Sequence, residues 1–159
     1  MWKLIRCFNT PFWEELDSEL REKVQHLVLM PTYKEPIEVL LETISSIANQ
    51  TVASSIIFVV GMEEKTPEQA EKIRIIKDQY GDAFKALVFT VHPFAIPGEI
   101  QGACSNRNWA AREGVKFMIK HKLLAVSEVT KEVDLDFTCV TVCDSDTTFF
   151  CRYFEHLTW

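Results

Sequence analysis

Apolar residues along the chain fall into two alternating rhythms. Unbroken runs at His26–Met30, Ser55–Val60, Lys85–Val91 and Phe137–Val142 are rich in β-branched and aromatic residues. Turn formers bound them, so they predict strands buried on both faces. Between the runs, apolar positions recur at helical spacing. Ile37, Leu40, Leu41, Ile44, Ile47 and Ala48 mark one face of a helix that Pro36 opens and Gln50-Thr51 ends. Thr66-Pro67-Glu68-Gln69 predicts the next helix start, with Thr66 as cap, Pro67 in the first position and Gln69 completing a capping box. That helix runs to Tyr80, where Gly81 stops it. A third helix spans Asn106–His121, with Trp109, Ala110, Val115, Phe117, Met118 and Ile119 on its apolar side. Residues 122–133 read as a polar connector or a helix extension, and residues 147–159 as a further helix or loop.

Strand followed by helix, repeated and closed by another strand, predicts an α/β fold: a mostly parallel sheet with flanking helices. In such sheets ligands collect at the carboxyl ends of the strands. Pro31–Glu35, Gly61–Glu64, the loop before Asn106, and Asp144–Asp146 should therefore meet at one edge. Residues 1–25 precede this pattern as an aromatic and partly helical lead-in, and residues 26–159 form the domain proper. Trp2, Phe8, Phe12 and Trp13 suit packing on the domain's flank, because basic residues are too few there for attraction to lipid.

Composition narrows the picture. A chain of 159 residues with 47% hydrophobic and 25% charged residues is sized and balanced for one globular domain. Its net charge of −6 disfavours nucleic acid as a partner, since no basic patch offsets repulsion from phosphates. Five cysteines form no Cys-x-x-Cys pair, which argues against a disulfide framework or a structural zinc site and fits a reducing compartment. Cys139 and Cys143 are best read as small buried hydrophobes. The sequence has no signal peptide and no apolar run of about 18 residues, the minimum for a membrane span.

The chemistry centres on the end of the fourth strand. Asp144 and Asp146 flank Ser145, and in an extended backbone residues two apart point the same way. Two carboxylates converging there suit a hard cation, Mn²⁺ or Mg²⁺, which can in turn hold the phosphates of a nucleotide. The same three residues equally suit a turn that ends a strand and caps a helix.

Four segments in order tip the balance. Pro31-Thr32-Tyr33-Lys34-Glu35, Ser46-Ile47-Ala48-Asn49-Gln50-Thr51, the stretch from Gly102 to Ala110 and Cys143-Asp144-Ser145-Asp146-Thr147 together resemble family-two glycosyltransferases. The likeness covers residues 26–159 and is nearest the chitin- and cellulose-synthase-like branch. It implies the nucleotide-sugar-binding half of a Rossmann-like GT-A fold, truncated at its C-terminus. By that resemblance Pro31 and Tyr33 wall the base, Glu35 accepts from base or ribose, and Glu63 contacts the base, with Glu64 close behind. Both of those last glutamates read equally as a solvated loop. The amides opening a Ser105–Asn108 helix would face anionic oxygen, Arg107 would pair with phosphate and Asn108 would brace the loop. Asp144 would contact ribose and metal, and Asp146 would ligate the metal directly. Lys34 and Ala103 depart from the family's Asn and Lys.

The resemblance further implies a UDP-type donor, a carbohydrate acceptor and hexosyl transfer in polysaccharide synthesis. The catalytic base is expected beyond Trp159, together with membrane helices that would place a longer enzyme on a cytosolic membrane face. The rival readings are a non-catalytic nucleotide- or metal-binding domain, a receiver-type regulatory domain and a nucleotidyltransferase. Receiver domains need a late-strand Lys, and nucleotidyltransferases a Gly-rich basic loop; neither feature is found. A missing second half would leave apolar surface exposed near Phe149, Phe150, Tyr153 and Phe154.

Overall fold

The computed structural model describes residues 24–126, 133–134 and 137–158. The aromatic lead-in through residue 23, most of the connector before residue 137, and Trp159 lie outside the described residues. The elements in chain order are β1 (Gln25–Thr32), α1 (Ile37–Ala48), a short 3₁₀ turn (Ala53–Ser55), β2 (Ile56–Glu63), α2 (Gln69–Tyr80) and β3 (Ala86–His92). Then come α3 (Ala103–Lys120), β4 (Ala125–Val126), β5 (Val133–Asp134), β6 (Thr138–Val142) and α4 (Tyr153–Leu157). The four longer strands form one parallel sheet in the order β3-β2-β1-β6. The two short strands pair with each other as an antiparallel ribbon. The expected α/β sheet with flanking helices is therefore the observed one.

Two apolar layers hold the sheet. Alternate residues of β1 and β2 face opposite ways. Val28, Met30, Phe58 and Val60 pack with Leu40, Ile44 and Ile47 of α1, Ile76 of α2, and Phe154 of α4. Leu27, Leu29, Ile57 and Val59 pack with Ala110 and Met118 of α3. Gly114 lets that helix come close, since a Cβ there would sit 3.1 Å from a Val59 methyl.

Several local expectations shift. β1 runs through Pro31 to Thr32. Leu29 accepts from Cys143 N–H at 3.0 Å, so the main-chain polar groups of every second residue here face β6. Pro31 faces the same side, but β6 ends opposite Leu29, so its missing N–H costs no ladder bond. Gly61–Glu63 belong to β2 rather than to a loop, and α3 starts at Ala103, three residues before Asn106. The capping box at Thr66 does not form. Glu68 adopts a left-handed conformation (φ 53°) and separates Thr66 from the helix, which begins at Gln69. Thr66 Oγ1 instead accepts from Glu63 N–H at 3.0 Å, and Gln69 Nε2 donates to Glu63 O at 2.9 Å. Both residues thus pin the end of β2.

Phe154 corrects the expectation of an exposed aromatic patch: it is fully buried, while Phe149 and Tyr153 are half-buried against the same core. Phe150 is exposed as expected.

Candidate functional site

The carboxyl ends of β1, β2 and β3 surround a cleft of about 450 Å³. Pro31, Thr32, Tyr33 and Glu35 form one wall, Glu63 and Lys65 a second, Phe94 a third, and Gln101 to Ala103 with Asn106 close it.

The β1 wall is built from a tight local network. Glu35 Oε2 accepts from Thr32 Oγ1 at 2.8 Å and from Tyr33 N–H at 2.7 Å. From below, the buried Lys72 donates through Nζ to the Glu35 carbonyl at 2.7 Å. Burial by itself raises the Glu35 pKa, but the bonds from Tyr33, its own N–H and Thr32, with the Lys72 charge, hold it below the ordinary carboxylate value. Glu35 is thus an anion at neutral pH with one oxygen committed to the turn.

On the β2 wall the two candidate glutamates separate. Glu64 Oε2 accepts from Phe94 N–H at 2.7 Å and so fastens the loop after β3. Glu63, with its main chain pinned by Thr66 and Gln69, directs its half-buried side to the cleft. Lys65 stands over the Phe94 ring, its Nζ 2.9 Å from the centroid.

Asn106 joins these walls. It is 1% exposed, and its Nδ2 donates to Gly61 O at 2.9 Å and to Thr32 O at 3.3 Å, bridging the ends of β2 and β1. Gly61 makes that approach possible. A Cβ there would lie 2.9 Å from the Ala110 Cβ and 3.1 Å from Asn106 Oδ1. The bracing role expected of Asn108 therefore falls on Asn106, while Asn108 is exposed on the outer side of α3. The sequence held the signal: Asn106, Ala110, Gly114 and Met118 repeat every four residues, and the last three are the helix's buried small and apolar stripe. The amides that open α3 are those of Ala103, Cys104 and Ser105, since the helix is capped by Gly102 (φ 144°) and starts at Ala103 rather than at Ser105.

The second cluster lies on the other side of β1. Asp144-Ser145-Asp146 follows the end of β6 as a turn, with Thr147 N–H donating to Asp144 O at 3.3 Å. The strand alternation that would have aligned the two acids does not operate there. Both acids are exposed, and Asp144 lies 4.0 Å from Arg107 Nη2 of α3. Ser145 is buried between them. Thr43 and Ser46 of α1 and Gln50 just past its end hold this segment by its main chain. Thr43 Oγ1 donates to Ser145 O at 2.8 Å, Ser46 Oγ accepts from Phe149 N–H at 3.1 Å, and Gln50 Nε2 donates to Phe150 O at 2.8 Å. Cys143, just before the turn, has its pKa pushed up to about 12 by burial and by the Asp144 charge, so its thiol stays protonated. That agrees with a packing role.

The chemistry of these acids decides what cation they fit. Among the described residues no three His, Cys, Asp or Glu side chains gather closely enough to hold a metal by themselves. Asp144 and Asp146 are both exposed and carry hard oxygen donors, the ligand type that a divalent cation such as Mn²⁺ or Mg²⁺ takes. Pro31, Tyr33, Glu35 and Glu63 meet in one cleft, whereas Arg107 and Asp144 meet beside it and Asp146 has no partner among the described residues. Lys65, Phe94, Gln101 and Asn106 complete the walls, and Lys72 supports one of them from below; the sequence reading singles out none of the five. Lys72 precedes the buried Ile76 by one helical turn, which placed it inward; Lys65 and Phe94 carry no such periodic sign.

No family model matches the chain, and no curated protein matches it. Among solved structures, the chain is similar to the mannosyltransferase PcManGT from Pyrobaculum calidifontis, solved in complex with GDP-Man and Mn²⁺. The two are 17% identical with a TM-score of 0.53, and the match covers 99% of this chain and 38% of that one. The chain thus has a glycosyltransferase-like α/β fold and spans well under half the length of that neighbour. Among the described residues no helix is long and apolar enough to cross a membrane.

Proposed function

We propose that the chain is the donor-binding part of a nucleotide-sugar-dependent glycosyltransferase. Our reading is a family-two enzyme of the chitin- and cellulose-synthase-like branch, acting in polysaccharide synthesis. The single observation that supports it best is the cleft at the carboxyl ends of β1, β2 and β3, with two carboxylates in its walls and a third acid beside it on α3's Arg107. The fold shared with a mannosyltransferase crystallised with GDP-Man and Mn²⁺ points the same way.

In this reading the nucleoside enters the cleft. Tyr33 and Pro31 offer it a flat apolar wall, and Glu35 and Glu63 accept its N–H or hydroxyl hydrogens. The diphosphate extends past the α3-opening amides of Ala103–Ser105 toward Arg107, where charge-assisted bonds are available. Asp144 and Asp146 are the residues that would hold Mn²⁺ or Mg²⁺. Such an ion, when bound, neutralises charge on the departing diphosphate. Ala103 removes one basic side chain from this path, which leaves Arg107 with the larger share of phosphate binding. The carbohydrate acceptor and the base that activates its hydroxyl belong, on this proposal, to sequence beyond Trp159.

Calorimetric titration of UDP, GDP and their sugar conjugates, with and without Mn²⁺, tests the reading. Metal-strengthened binding that Asp146→Ala abolishes is expected. Affinity that is the same with and without Mn²⁺ would remove the metal role, and no affinity for any nucleotide would sink the proposal.

A further inference from the structure

Lysine is among the side chains least often buried, yet Lys72 is only 3% exposed. It precedes the fully buried Ile76 by one turn and so lies on the buried face of α2. Withdrawing an ammonium from water is costly, and a partner must offset the cost. The partner here is a main-chain oxygen: Lys72 Nζ donates to the Glu35 carbonyl at 2.7 Å. A methionine could fill the same space without that cost, so packing does not account for a lysine at this position.

What the ammonium grips is the joint between the β1 wall of the cleft and α1. Pro36 follows Glu35 and caps the helix with φ −64°, and the first helical bond runs from Leu40 N–H to Pro36 O. The Glu35 carbonyl is therefore outside the helical ladder, and Lys72 reaches across from α2 to bond it. Fixing this peptide plane next to the rigid proline ring orients the residue before it. The Glu35 side chain turns back on the same loop, with Oε2 accepting from Thr32 Oγ1 and Tyr33 N–H. Among the described residues its Oε1 is left as the uncommitted acceptor. Burial raises the Glu35 pKa, and the Lys72 charge is among the influences that bring it below the ordinary carboxylate value. Thr32, Tyr33 and Glu35 line the cleft, whereas Lys72 does not. The ammonium stands behind the wall, so a ligand in the cleft feels it through the wall.

We infer that Lys72 is a positioning residue of the cleft: from α2 it sets the Thr32–Glu35 wall in the shape that a bound nucleoside meets, and it acts on that ligand through Glu35. This inference rests on the donor-binding reading of the cleft and adds to it a residue that touches no ligand.

The test is a double-mutant cycle, read as equilibrium binding of UDP and GDP with Mg²⁺ to the full chain, Lys72→Met, Glu35→Ala and the two substitutions combined. Losing one charge-assisted bond corresponds to about tenfold in affinity. Each single variant should weaken both nucleotides about tenfold. The combined variant should be no more than about twofold weaker than Glu35→Ala, because the two residues act as one unit. Losses that multiply to about a hundredfold would show two independent contributions and overturn the inference, as would unchanged affinity in Lys72→Met. A second readout leaves Lys72 in place and decides by itself if Lys72→Met fails to fold. In wild type the ¹⁵N resonance of the Lys72 ammonium should move when GDP and Mg²⁺ saturate the cleft. In Glu35→Ala, saturated in the same way, it should stay where it is; a shift of equal size there would overturn the inference. If wild type binds both nucleotides and the cycle is additive, the inference alone fails; if it binds neither, the donor-binding reading fails and takes the inference with it.

Discussion

The two flanks of β1 are built in opposite ways. Toward β2 and β3, the β1 and β2 walls of the cleft are fastened by buried or half-buried hydrogen bonds: Asn106 to two carbonyls, Lys72 to Glu35, and Thr66 and Gln69 to Glu63. Toward β6, the acids stand on an exposed turn whose main chain is anchored while their side chains are not. The contrast separates two physical tasks. A cleft that must fit a rigid planar group gains from walls set before binding. Carboxylates that share a cation with a mobile diphosphate need only be tethered nearby, because the ion and its other ligands complete the geometry.

The largest expected effect is on the fastened flank. Gly61→Val puts side-chain carbon against Ala110 and Asn106, where even a first carbon would be at 2.9 Å and 3.1 Å. Overpacking of this kind should cost about 3 kcal/mol and spread β2 from α3. Denaturant titration would show it as a lower midpoint, and nucleotide affinity should fall with it. A variant as stable as wild type would mean that the close approach of α3 is not what shapes the cleft.

An intermediate effect is expected from acid on the other flank. His26 Nε2 lies 2.9 Å from Thr158 Oγ1, and the ring packs edge-on against Phe154, so it ties the start of β1 to the C-terminal segment. Burial lowers its pKa from 6.5 to about 4. The unfolded chain therefore binds a proton that the folded chain refuses. This contribution is complete above the unfolded value of 6.5 and is lost as pH falls toward 4. Stability should therefore fall steadily across that window, read as a lower denaturation midpoint at pH 4 than at pH 7. Amide exchange should rise first in residues 143–158, with the cleft following later; simultaneous loosening would erase the distinction between the flanks.

The smallest effect concerns Asp144. Its side chain is 79% exposed and lies 4.0 Å from Arg107, so Asp144→Ala should move stability by less than about 0.5 kcal/mol. Metal-dependent nucleotide binding should nonetheless weaken. A melting curve shifted by several degrees would show that the turn is a structural element after all.

The sheet was legible in the sequence because strands buried on both faces leave long apolar runs, and helices with one covered face leave a period. Alternation of the two then dictates parallel topology, and with it the edge where Pro31–Glu35, Glu63 and Asp144–Asp146 collect. What the sequence obscured was which polar residue points inward. Asn106 and Asn108 look alike as letters, and only the phase of Ala110, Gly114 and Met118 separates them. Thr66 and Gln69 match a helix-capping pattern in composition, but the left-handed Glu68 diverts both to the strand end. β6 stops at Val142, two residues short of Asp144, so strand geometry does not orient Asp144 and Asp146 as their spacing in the sequence suggests. Lys65 against Phe94 is a meeting of two loops, and loops leave no periodic trace.

Thr43 and Ser46 of α1, with Gln50 just past its end, grasp carbonyl and amide groups, not the side chains that follow the Asp-Ser-Asp turn. A grip of that kind is blind to identity. Mutational drift can rewrite the outward-facing letters of residues 144–150 while their path stays nailed to the same helix, so related chains could retune cation preference without rebuilding their scaffold.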